Sequence, residues 1–181
     1  MKELLLKYKT VVRFIVLFIG TYLILGILYS FYLSISNNSA YFPDYLTHLV
    51  AIQSAAVLET FGYSAALRPA QLSQGMLLTI DGNYTVNIVE GCNSASVIIL
   101  FVAFVIAFAE NFKKTFLFLF ACSVLIYIVN VIRIVILTVA LYKYPQYEDF
   151  LHSVIFPGII YSFVFVLWMV WVRMLKPNSP A

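Results

Sequence analysis

Apolar residues gather in four long blocks, at about 11–33, 93–109, 115–141 and 153–172, with polar and charged residues concentrated between them. A run of about 17–25 apolar residues is long enough to cross a bilayer as a helix, so each block predicts a span. The first block, Val11 to Leu33, follows a basic head of Lys2, Lys7 and Lys9 and carries Arg13. A secretory leader begins in the same way, but its apolar region is only about 7–15 residues and ends at a small-x-small site. This run is longer and closes on no such site, which predicts an anchor that stays in place.

Between 34 and 91 the pattern changes. Ser34 to Ala40 reads as a polar loop. Pro43-Asp44 then opens a segment with Leu46, Leu49, Val50, Val57, Leu58 and Phe61 at helical spacing, with Asp44 as its N-cap. His48, Gln53, Ser54 and Glu59 interrupt the apolar stripe, so a helix on the membrane surface or on the bundle fits better than a span. His48 reads as an interfacial histidine rather than a catalytic one. Arg68-Pro69 ends the helical stretch. Met76–Ile80 and Tyr84–Val89 are β-prone runs around Asp81-Gly82-Asn83, a hairpin signal. The second run feeds directly into Glu90-Gly91-Cys92, so the hairpin aims that cysteine. Tyr142 to His152 reads as a polar loop before the last span.

These elements predict an all-α integral membrane bundle of about four transmembrane helices in one membrane domain, 1–181. A small extracytoplasmic helix plus a β-hairpin form an insertion at about 34–91, between the first and second spans. A mean hydropathy of +0.96 with only 10% charged residues agrees, being outside the soluble range. The net charge of +3 is scattered among the spans and makes no nucleic-acid surface. Its distribution sets the topology instead. Lys2, Lys7, Lys9, Arg13, Lys113, Lys114, Arg173 and Lys176 fall on one side, against Arg68 and Lys143 on the other. By the positive-inside rule both termini are cytoplasmic. In a bacterial cell this is the inner membrane, with the hairpin, Cys92 and His152 on its outer face.

Three side chains then share one depth. Arg133 lies inside the third block, where an arginine is penalised by about 2.5 kcal/mol or more at the helix centre. Counting from Thr115 at 1.5 Å per residue puts it about 27 Å along the helix, near the outer edge of a core about 30 Å thick. Cys92 opens the second span and His152 the fourth, both from outside. Asn130 shares a helix face with Arg133, at i and i+3, so the pair marks an inward stripe. Cys92 also lies at a helix N-terminus, whose unpaired N–H groups favour negative charge beside them. The only other cysteine, Cys122, sits within an apolar run. Two cysteines and two histidines at these positions lack metal-ligand spacing, and the chemistry calls on no cofactor.

As a set these residues suit acyl transfer. Cys92 as thiolate attacks a carbonyl, His152 takes and returns the proton, and Arg133 steadies the thiolate or the oxyanion. Asn130 orients His152 or the substrate, and Glu90 is either a second orienting group or a solvated carboxylate of the hairpin. Two other classes fit the same residues: a non-enzymatic membrane subunit binding a partner helix, which tolerates Cys92→Ser, and a membrane acyltransferase acting on lipid.

Glu90-Gly91-Cys92-Asn93-Ser94, Asn130-Val131-Ile132-Arg133 and His152, in this order and topology, resemble the exosortase/archaeosortase family. The resemblance covers mainly Asp81 to Trp171. It implies an integral membrane cysteine protease or transpeptidase with Cys92 as nucleophile, Arg133 and His152 as its partners, and Asn130, Glu90 and Asn93 in support. The implied substrates are exported proteins with a C-terminal signal of short motif, membrane helix and basic cluster, met among membrane lipids. Many members carry Cys-Ser-Gly where this chain has Cys92-Asn93-Ser94. The compact length resembles forms in Bacteroidetes, notably the exosortase F subfamily, for which a small dedicated membrane partner is implied.

The charge pattern is directly testable. Reporter fusions after Lys114 and after Lys176 should behave as cytoplasmic, and fusions after Gly82 and after Glu148 as extracytoplasmic. A cytoplasmic signal from the hairpin fusion would overturn the shared depth of Cys92, Arg133 and His152.

Overall fold

Backbone N–H and C=O groups in lipid must be satisfied within the segment that carries them, and long apolar segments therefore fold as helices. The computed structural model describes residues 8–36, 41–70, 74–109 and 111–175, and most of them are helical. Lys2, Lys7, Glu110 and Lys176, and the part of the 34–40 loop beyond Ser36, lie outside the described residues.

Helix α1 (Lys9–Ser36) is followed by α2 (Tyr45–Thr60), three strands, β1 (Ala65–Pro69), β2 (Gly75–Ile80) and β3 (Asn83–Val89), and a 3-10 turn at Glu90–Cys92. Helices α3 (Ala95–Ala107), α4 (Phe112–Lys143) and α5 (Phe156–Leu175) complete the chain. Among the described residues three helical stretches are long and apolar enough to cross a membrane: Lys9–Ser36, Phe112–Lys143 and Pro145–Leu175. The remaining expected span, 93–109, forms the 13-residue α3. At 1.5 Å per residue it is about 20 Å long, against a hydrocarbon core of about 30 Å.

Two further differences from the sequence reading have local causes. Tyr142–His152 was expected as a loop but is largely helical: a 3-10 turn at Pro145–Tyr147, a turn at Glu148–Phe150 and a π-helical turn at Leu151–Ile155 lead into α5. Phe150, Leu151, Val154 and Ile155 supply apolar residues there that continue the helix back from Phe156. The hairpin also gains a third strand, since β1 pairs antiparallel with β2 from Ala65↔Ile80 to Pro69↔Met76. Ala65–Pro69 has no alternating pattern and ends in a proline, which a strand tolerates at a sheet edge. Pairing with β2 overrides its weak propensity.

The local signals explain the rest. Asp44 caps α2, its Oδ1 accepting from the Thr47 N–H at 3.0 Å. Asp81 and Gly82 have φ of 51° and 79°, as a two-residue hairpin turn closing on Ile80↔Asn83 demands. Asp81 is further held by the Tyr142 hydroxyl, which donates to its Oδ2 at 2.9 Å. The hairpin tip is thus tied to the end of α4.

The core has two parts. In one, Met76, Leu78, Ile80, Val86 and Ile88 from one face of the sheet meet Val50, Ala51 and Leu58 of α2 and Ile134, Leu137 and Leu141 of α4. In the other, Phe101 and Val105 of α3, Cys122 and Ile126 of α4, and Ile160, Val164 and Trp171 of α5 pack together. Lipid is as apolar as leucine, so such helices are held by close packing rather than by hydrophobic drive. Aromatic contacts supply part of it: Phe104 stacks on Trp168 at 4.4 Å and Phe118 on Trp171 at 4.7 Å. Helix α1 lies along α3, with Phe14 against Phe108 at 4.5 Å, and leaves Val16, Ile24, Ile27 and Phe31 exposed as a lipid-facing surface. Lys114 Nζ donates to the Met174 carbonyl at 2.6 Å, a cation on the last turn of α5. The start of α4 and the end of α5 are therefore at one end of the bundle.

Gly75 marks the tightest approach within the sheet. A Cβ added there would lie 3.0 Å from the Ile88 carbonyl oxygen on the paired strand, an atom that cannot move without the ladder. Gly75→Ala should destabilise the protein by about 1–3 kcal/mol, read as a lower Tm of the detergent-solubilised chain. An unchanged Tm would show that the β2–β3 register is soft.

Candidate active site

Strand β3 ends at Val89, and the backbone turns at once through Glu90–Cys92 into the start of α3. Two polar residues make that turn possible. Asn93 Oδ1 accepts from the Ala95 N–H at 2.9 Å, satisfying one of the donors that a helix start leaves unpaired. Ser94 adopts φ 64°, ψ −2°, a left-handed conformation that a residue with a Cβ adopts at a penalty of about 1–2 kcal/mol. Its hydroxyl donates to the Asn93 carbonyl at 2.6 Å.

Asn93 is itself buried, 3% exposed, so its remaining amide donors need partners. Nδ2 donates to the Tyr29 hydroxyl on α1 at 2.8 Å and lies 3.2 Å from Thr47 Oγ1 on α2. Thr47 is fixed by the Asp44 cap, and Asp44 Oδ1 also accepts from the Tyr32 hydroxyl at 3.1 Å. One buried chain of polar groups therefore ties α1, α2 and the residue after Cys92 together. Asn93 was expected as a supporting residue. Tyr29, Tyr32 and Thr47 were missed, and the only signal for them was two tyrosines three apart on α1.

The other side of the turn is held by α4. Asn130 is 2% exposed and donates through Nδ2 to the Cys92 carbonyl oxygen at 2.7 Å. The sequence reading gave Asn130 to His152 or the substrate; Nδ2 is on the Cys92 main chain, and the His152 side chain lies outside the described residues. One turn on, Arg133 is half-buried, and its Nε is buried without a hydrogen-bond partner among the described residues. The ionisable groups that face the guanidinium are Cys92 and Tyr161. A buried guanidinium donor left open is expensive to maintain, and it marks a place prepared for an acceptor.

Cys92 and Arg133 line one pocket of about 250 Å³ together with Val86–Val89, Gly91, Leu137, Phe156, Pro157 and Tyr161. Cys92 is half-buried there and Cys122 is buried elsewhere, in the helix-only core. His152 lies on the π-helical turn just before Phe156; its side chain lies outside what the structure describes. Such single π turns gather at functional sites. Glu90 is exposed on the turn and is not among the residues lining the pocket. His48 is on α2, its Nδ1 3.2 Å from the Phe42 carbonyl oxygen and its ring against Tyr41, away from the pocket. No group of three His, Cys, Asp or Glu side chains placed to hold a metal ion occurs among the described residues.

The pocket thus brings together a half-buried thiol, an open guanidinium donor and a tyrosine, beside apolar walls. A family model described as transmembrane exosortase matches residues 7–172. No curated protein and no solved structure gives a match.

The hydrogen bond from Asn130 makes a prediction of its own. Asn130→Ala leaves the Cys92 carbonyl without its buried partner, which should lower stability by about 1–3 kcal/mol. The loosened turn should also be modified faster by a thiol reagent at Cys92, with Cys122 unreactive throughout. Unchanged stability and labelling would mean that the turn is held by Asn93 alone.

Proposed function

The chain belongs to the transmembrane exosortase family, and on that premise we propose that it is a membrane cysteine transpeptidase acting through Cys92. The observation that carries this reading is the pocket shared by Cys92 and Arg133, with the buried Nε of Arg133 unpartnered among the described residues. A structural arginine would be paired or would snorkel to the headgroups.

In this reading the Cys92 thiolate adds to the scissile peptide carbonyl, and His152 holds the proton taken from the thiol. Arg133 pairs with the oxyanion of the tetrahedral intermediate. The intermediate collapses to a thioester, the C–N bond breaks, and His152 protonates the departing amine. An incoming amine, or water, then attacks the thioester and frees Cys92. Asn130 and Asn93 take no part in bond making. They fix the main chain on either side of the thiol, so that it stays in place while charge develops.

The substrates are exported proteins whose C-terminal signal joins a short motif to a membrane helix and a basic cluster. With four membrane crossings, α3 included, the termini are cytoplasmic and the pocket opens on the outer face of the inner membrane. A basic cluster on the substrate then meets the cytoplasmic side, as the chain's own Lys113, Lys114 and Arg173 do.

Acid-quenching native membranes that contain the chain and its exported proteins should trap an acyl group on Cys92, identified by mass spectrometry as the new C-terminus of a cleaved protein. Cys92→Ser should abolish the adduct. Arg133→Lys should lower processing by roughly 100-fold, because an ammonium cannot reproduce the planar fork of a guanidinium. A fatty acyl adduct would instead identify a lipid acyltransferase, and full processing by Cys92→Ser would leave a non-enzymatic subunit.

A further inference from the structure

Four consecutive residues of β3, Val86, Asn87, Ile88 and Val89, line the pocket that holds Cys92 and Arg133. Successive side chains of a strand point to opposite faces of the sheet. A pocket lying on one face would therefore meet alternate residues only. Contact with all four places the pocket along the edge of the strand. The sheet order β1-β2-β3 puts β3 at that edge, with no fourth strand beside it among the described residues.

Edges of this kind pair readily with another chain, and proteins normally protect them with lysine, arginine or proline. The other edge of this sheet is protected in that way, since β1 ends in Arg68-Pro69. Strand β3, Asn-Tyr-Thr-Val-Asn-Ile-Val, carries no charge and no proline, and its one register shift, opposite Leu78/Thr79, comes before Val86–Val89, which pair regularly with β2. Its end is three residues from Cys92. The facing wall of the pocket comes from α4 and α5, with Leu137, Phe156 and Ile160 apolar and Arg133 and Tyr161 polar. At about 250 Å³ the pocket is smaller than the roughly 300–1,000 Å³ that encloses a small ligand. It suits a few side chains of a strand that lies along the edge.

We propose that the outer edge of β3 is the docking strand for the substrate: an extended segment of the exported protein pairs with Val86–Val89 and delivers its scissile carbonyl to Cys92. This rests on the transpeptidase reading above and specifies how that site takes its substrate. Pairing along four residues spans about 13 Å and uses main-chain groups, so it accepts many sequences, while the pocket wall selects apolar side chains at alternate positions. Its direction follows from the chain. Strand β3 runs toward Cys92 and on into α3, and a substrate whose membrane helix follows its motif runs the same way, so the pairing is parallel.

The segment trapped on Cys92 supplies the probe. It is resynthesised with its following apolar helix, unmodified and with one N-methyl group at each of four successive peptide bonds before the cleavage site. Each peptide is mixed with the full solubilised chain, and acylation of Cys92 is followed by mass spectrometry. Strand pairing uses the N–H of every second residue, so acylation should slow by roughly tenfold or more at alternate bonds and change little at the bonds between. Equal losses at all four bonds, or none, would overturn the docking strand while leaving Cys92 as the nucleophile. Absence of any adduct from the unmodified peptide would overturn the transpeptidase reading, and the docking strand with it.

Discussion

The 2.7 Å hydrogen bond from Asn130 to the Cys92 carbonyl pins the turn that carries the thiol where two parts of the structure, held by different forces, meet. One is a long membrane helix held by packing in lipid. The other is a sheet held by hydrophobic burial and ladder hydrogen bonds. Asn130 lies on α4 where the helix-only core, ending at Ile126, gives way to the core shared with the sheet, beginning at Ile134. Because Asn130 and Arg133 share a face, a shift of α4 moves both the anchor of Cys92 and the guanidinium facing it. One part of what sets the distance between thiol and guanidinium therefore lies within a single rigid element and the turn it holds.

The second anchor works by a different route. Asn93 reaches Tyr29 and Thr47, on α1 and α2, so the turn carrying Cys92 is held from both sides. Between these anchors the backbone takes a left-handed step at Ser94. A glycine would fill this step without strain. Here a serine does so, and its hydroxyl answers the Asn93 carbonyl. Part of the holding thus falls to a buried asparagine.

What could be read from the sequence divides along physical lines. Asp44, Asp81-Gly82 and the stripe of Asn130 and Arg133 were legible because their causes are local: a cap, a turn with positive φ, a polar face on an apolar helix. Depth along α4, counted residue by residue, was enough to put Arg133 level with Cys92, and the shared pocket agrees with that level. Strand β1 was not legible, because Ala65–Pro69 becomes a strand only by pairing with β2. Nor was the part played by Tyr29, since an aromatic in an apolar helix gives no sign that its hydroxyl meets an asparagine 64 residues on. The main-chain partner of Asn130 was hidden for the same reason: side-chain identity shows that a buried amide needs partners, and only the fold shows which main-chain oxygen is nearest.

The shortness of α3 reaches beyond the protein. A 13-residue helix set among three that are long enough to span falls short of the hydrocarbon core by about 10 Å. Lipids adjust to such a mismatch at fractions of a kcal/mol per Å. Both ends of α3 are tied to neighbours, by Phe104 on Trp168 at one and by Asn130 and Asn93 beside Cys92 at the other, so the helix cannot slide to relieve the shortfall. A bilayer crossed by α3 would therefore be thinner beside it than beside its longer neighbours, and the lipid rather than the protein would carry the strain.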